Sequence, residues 1–356
     1  MKSIKDVNIR NRKIILRAGL NVPIDLETGE IMDDSRMKAA AKTVDFIMSK
    51  KPKMLLVVSH LGRPEGKKVE ELSLENLVED WERILKRRVI FVDKLERLQA
   101  IMQAGIFDKE AIYLLENLRF WKSEKSNDED FAKELSRGFG VFVNDAFSVS
   151  HRRHSSITQI PKFVKDAVMG LLFAEEYEHL KAVRDNPVKP AVAIIGGAKI
   201  ATKLPVIQNL EKIYDKILVG GRVANEALDE KIKFSDKVVL PVDFSPAEKV
   251  EERLDIGPMT VVAFREELKK AKTIIWNGPL GKFEDPEAAN GTRNVVKLLE
   301  ECESFILIGG GETVEAVRKF GHLEKYDYVS KSGGAMLEFM AGKELPGIEA
   351  LELTEK

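Results

Sequence analysis

Residues 191–203 read Ala-Val-Ala-Ile-Ile-Gly-Gly-Ala-Lys-Ile-Ala-Thr-Lys. The first five are apolar and partly β-branched, which suits a strand buried on both faces. Two glycines follow, and then a helix-period segment whose lysines, Lys199 and Lys203, stand one turn apart. Strand, glycine turn and helix in that order form the opening half of a βαβ unit. The pattern recurs downstream. Lys216–Val219 runs into Gly220-Gly221-Arg222, and Thr273–Trp276 into Asn277-Gly278-Pro279. Phe305–Ile308 leads to Gly309-Gly310-Gly311-Glu312-Thr313, and Tyr328–Ser330 to Lys331-Ser332-Gly333-Gly334.

Glycine after a strand lets backbone N–H groups close on phosphate oxygens, with a helix N-terminus behind them to stabilise the charge. One Gly-Gly pair is no more than a tight turn. Several in one half of a chain, two of them carrying a lysine, point to a phosphate site. Neither the GxxxxGK[ST] loop nor the GxGxxG fingerprint is present, which excludes a P-loop NTPase and argues against a dinucleotide-dependent dehydrogenase.

The first half follows the same grammar with basic loops. Strands are expected at Lys13–Leu16, Met54–Val58, Ala111–Leu115 and Gly140–Asn144, and helices at Arg36–Ser49 and Ser73–Leu85. The strand-end loops carry Arg17, Arg63, Arg119 and Arg152, and Arg36 opens the helix after the first strand. His60, His151 and His154 share these loops, three of the 5 histidines in the chain. Arginines at the carboxyl ends of neighbouring parallel strands converge on one crevice, where guanidinium forks bind phosphate or carboxylate. A small anionic substrate is expected there.

At 356 residues the chain is long enough for two cores. The reading is α/β: two Rossmann-like domains with mostly parallel sheets flanked by helices. An amphipathic helix over Ala167–Arg184, stopped by Asp185-Asn186-Pro187, is expected to join them and to serve as a hinge. The expected domains are residues 1–166 and 167–344. A net charge of −1 argues against bulk affinity for nucleic acid or membrane. Cys302 is the only cysteine, so an intrachain disulfide is excluded and a reducing compartment fits. The N-terminus, MKSIKDVNIR, has no apolar core of a signal peptide, and no apolar run is long enough to span a bilayer. A soluble, cytoplasmic monomer is expected.

In order along the chain, LRAGLNVP, SHLGRP, LLENLRF, VNDAFSVSHRRHSS, AIIGGAKIATK, DIGP, IIWNGPLGKFE, IGGGET and SGGAMLEFMAGKELPGIEAL closely resemble phosphoglycerate kinases. The match covers nearly the whole sequence, and as an ordered set it is highly specific. The resemblance implies reversible phosphoryl transfer between 1,3-bisphosphoglycerate and Mg-ADP, giving 3-phosphoglycerate and ATP. It implies that Asn21, His60, Arg63, Arg119 and Arg152 hold the phosphoglycerate. Arg36 would stabilise the transferring group from the substrate side and Lys199 from the nucleotide side. Lys203, Asn277, Gly310, Gly311, Gly333 and Gly334 would line the nucleotide phosphates, Glu284 would take the ribose, and Glu312 would serve the Mg²⁺. The tail, residues 345–356, is expected to return to the first domain.

The chain also departs from the family pattern. Gly19 stands where an aspartate is usual in the first motif, Thr202 replaces an aspartate, and Glu312 replaces the metal-proximal aspartate. Lys331-Ser332 precede Gly333-Gly334 in place of Thr-Gly, and Arg222 occupies a common glycine position. The segments between Leu228 and Leu240 and between Phe244 and Asp255 are short for the family. These differences leave open a paralogous kinase for another small carboxylate, or a non-catalytic phosphoglycerate- or nucleotide-binding protein.

Overall fold

A computed structural model describes residues 1–25, 28–246 and 253–355. Much of the stretch between Phe244 and Asp255 therefore lies outside the described residues. The chain divides into two units, residues 1–177 with 345–356, and residues 178–344.

The first unit holds β1 (Lys13–Arg17), β2 (Met54–Val58), β3 (Val89–Val92), β4 (Ile112–Leu115), β5 (Val141–Asn144) and β6 (Asp166–Met169). They form one parallel sheet in the order β3-β4-β2-β1-β5-β6. β1 is central, pairing Ile14 with Leu55 on one side and with Val141 on the other. Its helices are α1 (Ser35–Ser49), α2 (Val78–Leu85), α3 (Leu95–Ala104), α4 (Lys122–Lys125) and α5 (Glu129–Ser136). Strands of this kind are covered on both faces, and Ile14, Leu16, Leu55, Val57, Val141 and Trp81 share one buried core.

Two helices differ from the sequence expectation. Residues 74–77 are a 3₁₀ turn, and only Val78–Leu85 are α-helical. The connecting helix, α6 (Leu171–Asp185), starts four residues later than expected because 166–169 form the sixth strand. The apolar Ala167-Val168-Met169 fits either period, and Gly170 separates strand from helix. Asp145 then caps α6: its Oδ1 accepts from Leu172 N at 2.9 Å and Phe173 N at 3.2 Å. A Cβ at Gly170 would lie 2.1 Å from that oxygen, so the cap requires glycine there.

The second unit holds β7 (Ala191–Ile195), β8 (Lys216–Val219), β9 (Val238–Val239), β10 (Phe244–Ser245), β11 (Asp255–Ile256), β12 (Thr273–Asn277), β13 (Phe305–Gly309) and β14 (Tyr328–Ser330). Six of them form a parallel sheet in the order β14-β13-β12-β7-β8-β9, while β10 and β11 make a separate antiparallel pair. The helices are α7 (Ile200–Leu210), α8 (Gly221–Asp229), α9 (Pro258–Leu268), α10 (Asn290–Glu300), α11 (Gly311–Phe320) and α12 (Gly333–Met340). Val192, Ile194, Leu218, Ile274, Trp276 and Ile308 belong to its core. Strand order reverses between β7 and β12, and ligands of open α/β sheets bind outside such a switch point. The last helix, α13 (Pro346–Glu352), belongs to the first unit, where Gly347 N donates to Ser150 O at 2.8 Å.

Replacing Asp145 with Ala leaves two N–H groups at the start of α6 without their acceptor. We expect a loss of about 1–3 kcal/mol in stability, read as a lower midpoint in urea denaturation followed by circular dichroism.

Candidate functional site

In the first unit, Arg63, Arg119 and Arg152 line one cavity of 210 Å³ with Glu65 and Lys125. Each arginine arrives on a different strand-end segment: Arg63 after β2, Arg119 after β4 and Arg152 after β5. Arg119 is buried and donates from Nη1 to Gly62 O at 2.6 Å. Burial, and then the nearby Arg152 and Arg17, lower its pKa to about 10, so it stays cationic at neutral pH.

Behind the cavity lies a buried polar layer. Arg17, read in the sequence as an arginine of the anion site, is instead fully committed within the protein. It donates to Ala18 O at 2.6 Å and Ser156 Oγ at 3.2 Å, and its Nη2 meets His60 Nδ1 at 2.9 Å. A guanidinium can only donate, so Nδ1 accepts and the imidazole proton sits on Nε2. Burial and the surrounding arginines hold His60 far below the usual histidine range and His154 at about 4, so both are neutral at pH 7. Ser156 also donates to the buried Glu124 from Oγ at 2.6 Å and from N at 2.9 Å. Asn21 Oδ1 accepts from Gly62 N at 2.8 Å, which ties the loop after β1 to the loop carrying Arg63. Asn21, His60 and Arg36 do not line the 210 Å³ cavity. Arg36 sits half-buried in the first turn of α1, where burial lowers its pKa.

In the second unit the glycine loops converge. Gly196 N donates to Asn277 O at 2.9 Å and Gly197 N to Pro279 O at 2.8 Å. The approach is so close that a Cβ at Gly196 would lie 2.1 Å from Pro279 O. Gly310, at φ +98°, needs the left-handed conformation as well. The resulting cavity, 370 Å³, is lined by Lys199, Lys203, Asn277, Gly310, Gly311 and Gly333 among others, with Thr202 and Glu312 at its wall. The N-termini of α7, α11 and α12 open onto it, although in α7 Ile200 N already donates to Glu226 Oε2 at 2.8 Å. Lys203 Nζ bonds Asn277 Oδ1, and Asn277 Nδ2 donates to Gly309 O at 2.7 Å. Burial lowers Lys203 to about 8, opposed by the charge of Glu312. An adjoining cavity of 390 Å³ shares Gly197, Ala198 and Glu312 and adds Glu284, Arg222 and Arg253. Gly334 is exposed and lines neither cavity.

The sequence model for phosphoglycerate kinase matches residues 4–233 and 226–343. The phosphoglycerate kinase of Helicobacter hepaticus is 34% identical over 392 residues, covering 99% of this chain and 96% of the relative. That of Aquifex aeolicus is 36% identical over 397 residues, covering 99% and 98%. This chain belongs to the phosphoglycerate kinase family. Such kinases catalyse the ATP-dependent interconversion of 1,3-bisphosphoglycerate and 3-phosphoglycerate. The solved phosphoglycerate kinase of Coxiella burnetii superposes with a TM-score of 0.88 at 32% identity, covering 99% of each chain. That of Pyrococcus horikoshii gives 0.82 at 28% identity, covering 100% of this chain and 99% of the other.

Several departures from the phosphoglycerate kinase pattern take a physical form. Around Gly19 nothing lies within 4 Å of an added Cβ, so the missing side chain leaves open space. Ser332 has φ −114°, a region open to any residue, so replacing the usual glycine there introduces no backbone strain. Thr202 Oγ1 donates to Lys199 O at 2.9 Å, inside the helix start. Arg222 is exposed and pairs with Glu226 at 3.7 Å. Lys331 lies outside both cavity linings. The two alignments are longer than the 356-residue chain, so these relatives carry residues that it lacks, and the family match is itself broken at 226–233.

If Lys203 holds a nucleotide phosphate, as the resemblance implies, it must be charged to do so, and its pKa of about 8 makes nucleotide binding take up protons near that pH. ADP affinity should therefore fall as the pH rises from 7 to 9, and Lys203→Met should flatten that slope, both read by calorimetry. The sign for the unliganded protein is opposite. Its lysine is lowered from 10.5, so stability rises with pH between about 8 and 10.5.

Proposed function

We propose that this chain is a working phosphoglycerate kinase. The observation that carries the reading is a pair of anion cavities at the carboxyl ends of two parallel sheets in one chain. One is built from arginines and the other from glycine loops, lysines and helix N-termini. A small phosphorylated acid suits the first, and a polyphosphate tail suits the second. The adjoining 390 Å³ space, with Glu284, takes the ribose and base.

The acid's carboxylate is the nucleophile, so the protein needs no covalent intermediate and no general base. A carboxylate oxygen bonds to the γ-phosphorus of ATP, the bond to the bridging oxygen breaks, and ADP leaves carrying the charge. The residues contribute placement and charge. Arg63, Arg119 and Arg152 bind and orient the acid, with Asn21 and His60 fixing the loops and guanidinium behind them. Lys199, an exposed side chain at the start of α7, meets the transferring group from the nucleotide side, and Arg36 meets it from the acid side. Lys203, with Asn277 and the glycines, holds the nucleotide phosphates. Transfer requires both ligands in line with water excluded, so the reading includes hinge closure during turnover.

Glu312 offers one carboxylate at the wall shared by the two second-unit cavities, and no hydrogen bond occupies it among the described residues. No group of three His, Cys, Asp or Glu able to hold a metal occurs among the described residues. One carboxylate such as Glu312 fits Mg²⁺ held together with nucleotide phosphates and water. Bound there, Mg²⁺ neutralises charge on the phosphates. No helix among the described residues is long and apolar enough to cross a membrane. As a member of a family of glycolytic kinases, the enzyme is proposed to be cytoplasmic and monomeric.

The decisive assay is ATP-dependent phosphorylation of 3-phosphoglycerate with Mg²⁺, coupled to NADH oxidation. We expect turnover of roughly 1–1000 per second. Arg36→Ala should remove turnover while thermal unfolding stays unchanged. Binding of 3-phosphoglycerate without turnover at any Mg²⁺ concentration would instead favour a binding protein.

The open space at Gly19 supports a second experiment. Gly19→Asp places its Cβ in open space and restores an acceptor for the acid's hydroxyl. The variant should lower KM for 3-phosphoglycerate and leave KM for ATP unchanged. A raised KM would show that the substrate is an acid of another shape.

A further inference from the structure

Glu65 and Lys125 line the arginine cavity, yet the reaction outlined above uses neither. Lys125 Nζ and Glu65 Oε2 lie 2.6 Å apart. Glu65 is the only carboxylate in a lining that otherwise holds Arg63, Arg119, Arg152 and Lys125. Its pKa is lowered by its bond to Lys125 and by that charge, and further by Arg119 and Arg63. The carboxylate is thus a counterion of the cavity itself, and Lys125 is a fourth cation that it occupies.

The backbone holds it there. Glu65 adopts φ +53°, a left-handed conformation unfavourable for a glutamate, and Gly66 follows at φ +77°. Lys67 N donates to Pro64 O at 3.1 Å to close the turn, and Gly66 N donates to Arg119 O at 3.1 Å to anchor it beside the cavity. A Cβ at Gly66 would come within 2.5 Å of Lys122 Cγ, so this turn packs tightly against α4, the helix that carries Lys125. Both partners stay wet, with side chains 44% and 67% exposed, and a pair of that kind opens at little cost.

We propose that Glu65 is an internal competitor for the anion site and that Lys125 is an anion-binding residue released when a ligand displaces it. The inference rests on the cavity being the phosphoglycerate site. An incoming monoanion exchanges one charge for another at Lys125 and gains little. A phosphate dianion brings twice the charge and wins the exchange, so the pair selects phosphorylated acids over simple carboxylates.

The test is calorimetric binding of 3-phosphoglycerate, inorganic phosphate and glycerate to the full chain and to variants whose melting is confirmed unchanged. Glu65→Gln should tighten all three ligands and narrow the preference for 3-phosphoglycerate over glycerate. Lys125→Met should weaken 3-phosphoglycerate by about fivefold. Adding Glu65→Gln to Lys125→Met should tighten binding far less than Glu65→Gln does alone, because Lys125 is the main partner of Glu65 and Arg119 and Arg63 feel it more weakly. Equal tightening by Glu65→Gln with and without Lys125 would reduce Glu65 to a general field effect and overturn the proposal. So would a Glu65→Gln variant matching the native protein. If the native protein binds neither 3-phosphoglycerate nor phosphate, the phosphoglycerate reading of the cavity falls and the inference with it. Binding that is intact but indifferent to both substitutions sinks the inference alone.

Discussion

The second unit of this enzyme depends on two strand ends lying closer than any side chain permits. Gly196 and Gly197, after β7, hydrogen-bond to the backbone of Asn277 and Pro279, after β12. A Cβ at Gly278 would come within 2.2 Å of Gly196 O, so neither loop tolerates a larger residue. The next loop joins the same lattice, with Gly221 N donating to Leu280 O at 2.8 Å. Because the loops are locked together, Lys199, Lys203 and the start of α11 face one space. Their backbone donors are held in fixed orientations, which under the proposed function removes a reorganisation cost from binding and from the transition state.

The first unit solves a different problem, the accumulation of positive charge. Three arginines and a lysine share a 210 Å³ space, and a fourth arginine lies buried behind them. The arrangement is tolerable because the histidines in the layer are neutral and Glu124 is buried among the cations. Arg17 is part of this scaffold: its donors orient His60, Ser156 and the end of β1. Guanidinium is the suitable group for such a site, since even with its pKa lowered to about 10 Arg119 keeps its charge at neutral pH.

Much of the architecture was legible in order of residues. The apolar runs at Ile14, Leu55, Val192 and Ile274 became central strands, because a strand buried on both faces needs an unbroken apolar sequence. Val89–Val92 gives little strand signal although it is apolar throughout, because it is short and sits at an edge beside Arg87 and Arg88. Ala167–Met169 reads as the start of the helix that follows, since three apolar residues carry too little periodicity to distinguish strand from helix. Of the anion-site arginines, Arg63, Arg119 and Arg152 do share a cavity, while Arg17 does not.

The sequence by itself determined the alternation of strands and helices, the glycine and arginine loops at the strand ends, and the family. These are local or ordered properties, set by the period of hydrophobicity and by residue types at fixed offsets. Only the tertiary structure decided which charges are free and which are spent. Arg17 and Arg119 stand in similar strand-end contexts, yet Arg17 is consumed by Ser156, 139 residues away, while Arg119 lines the cavity. Lys125 pairs with Glu65 across 60 residues, and Lys203 has its pKa lowered by burial that no local pattern records. Partners so distant in the chain meet only through packing, and it is their distance and burial that set each charge's availability.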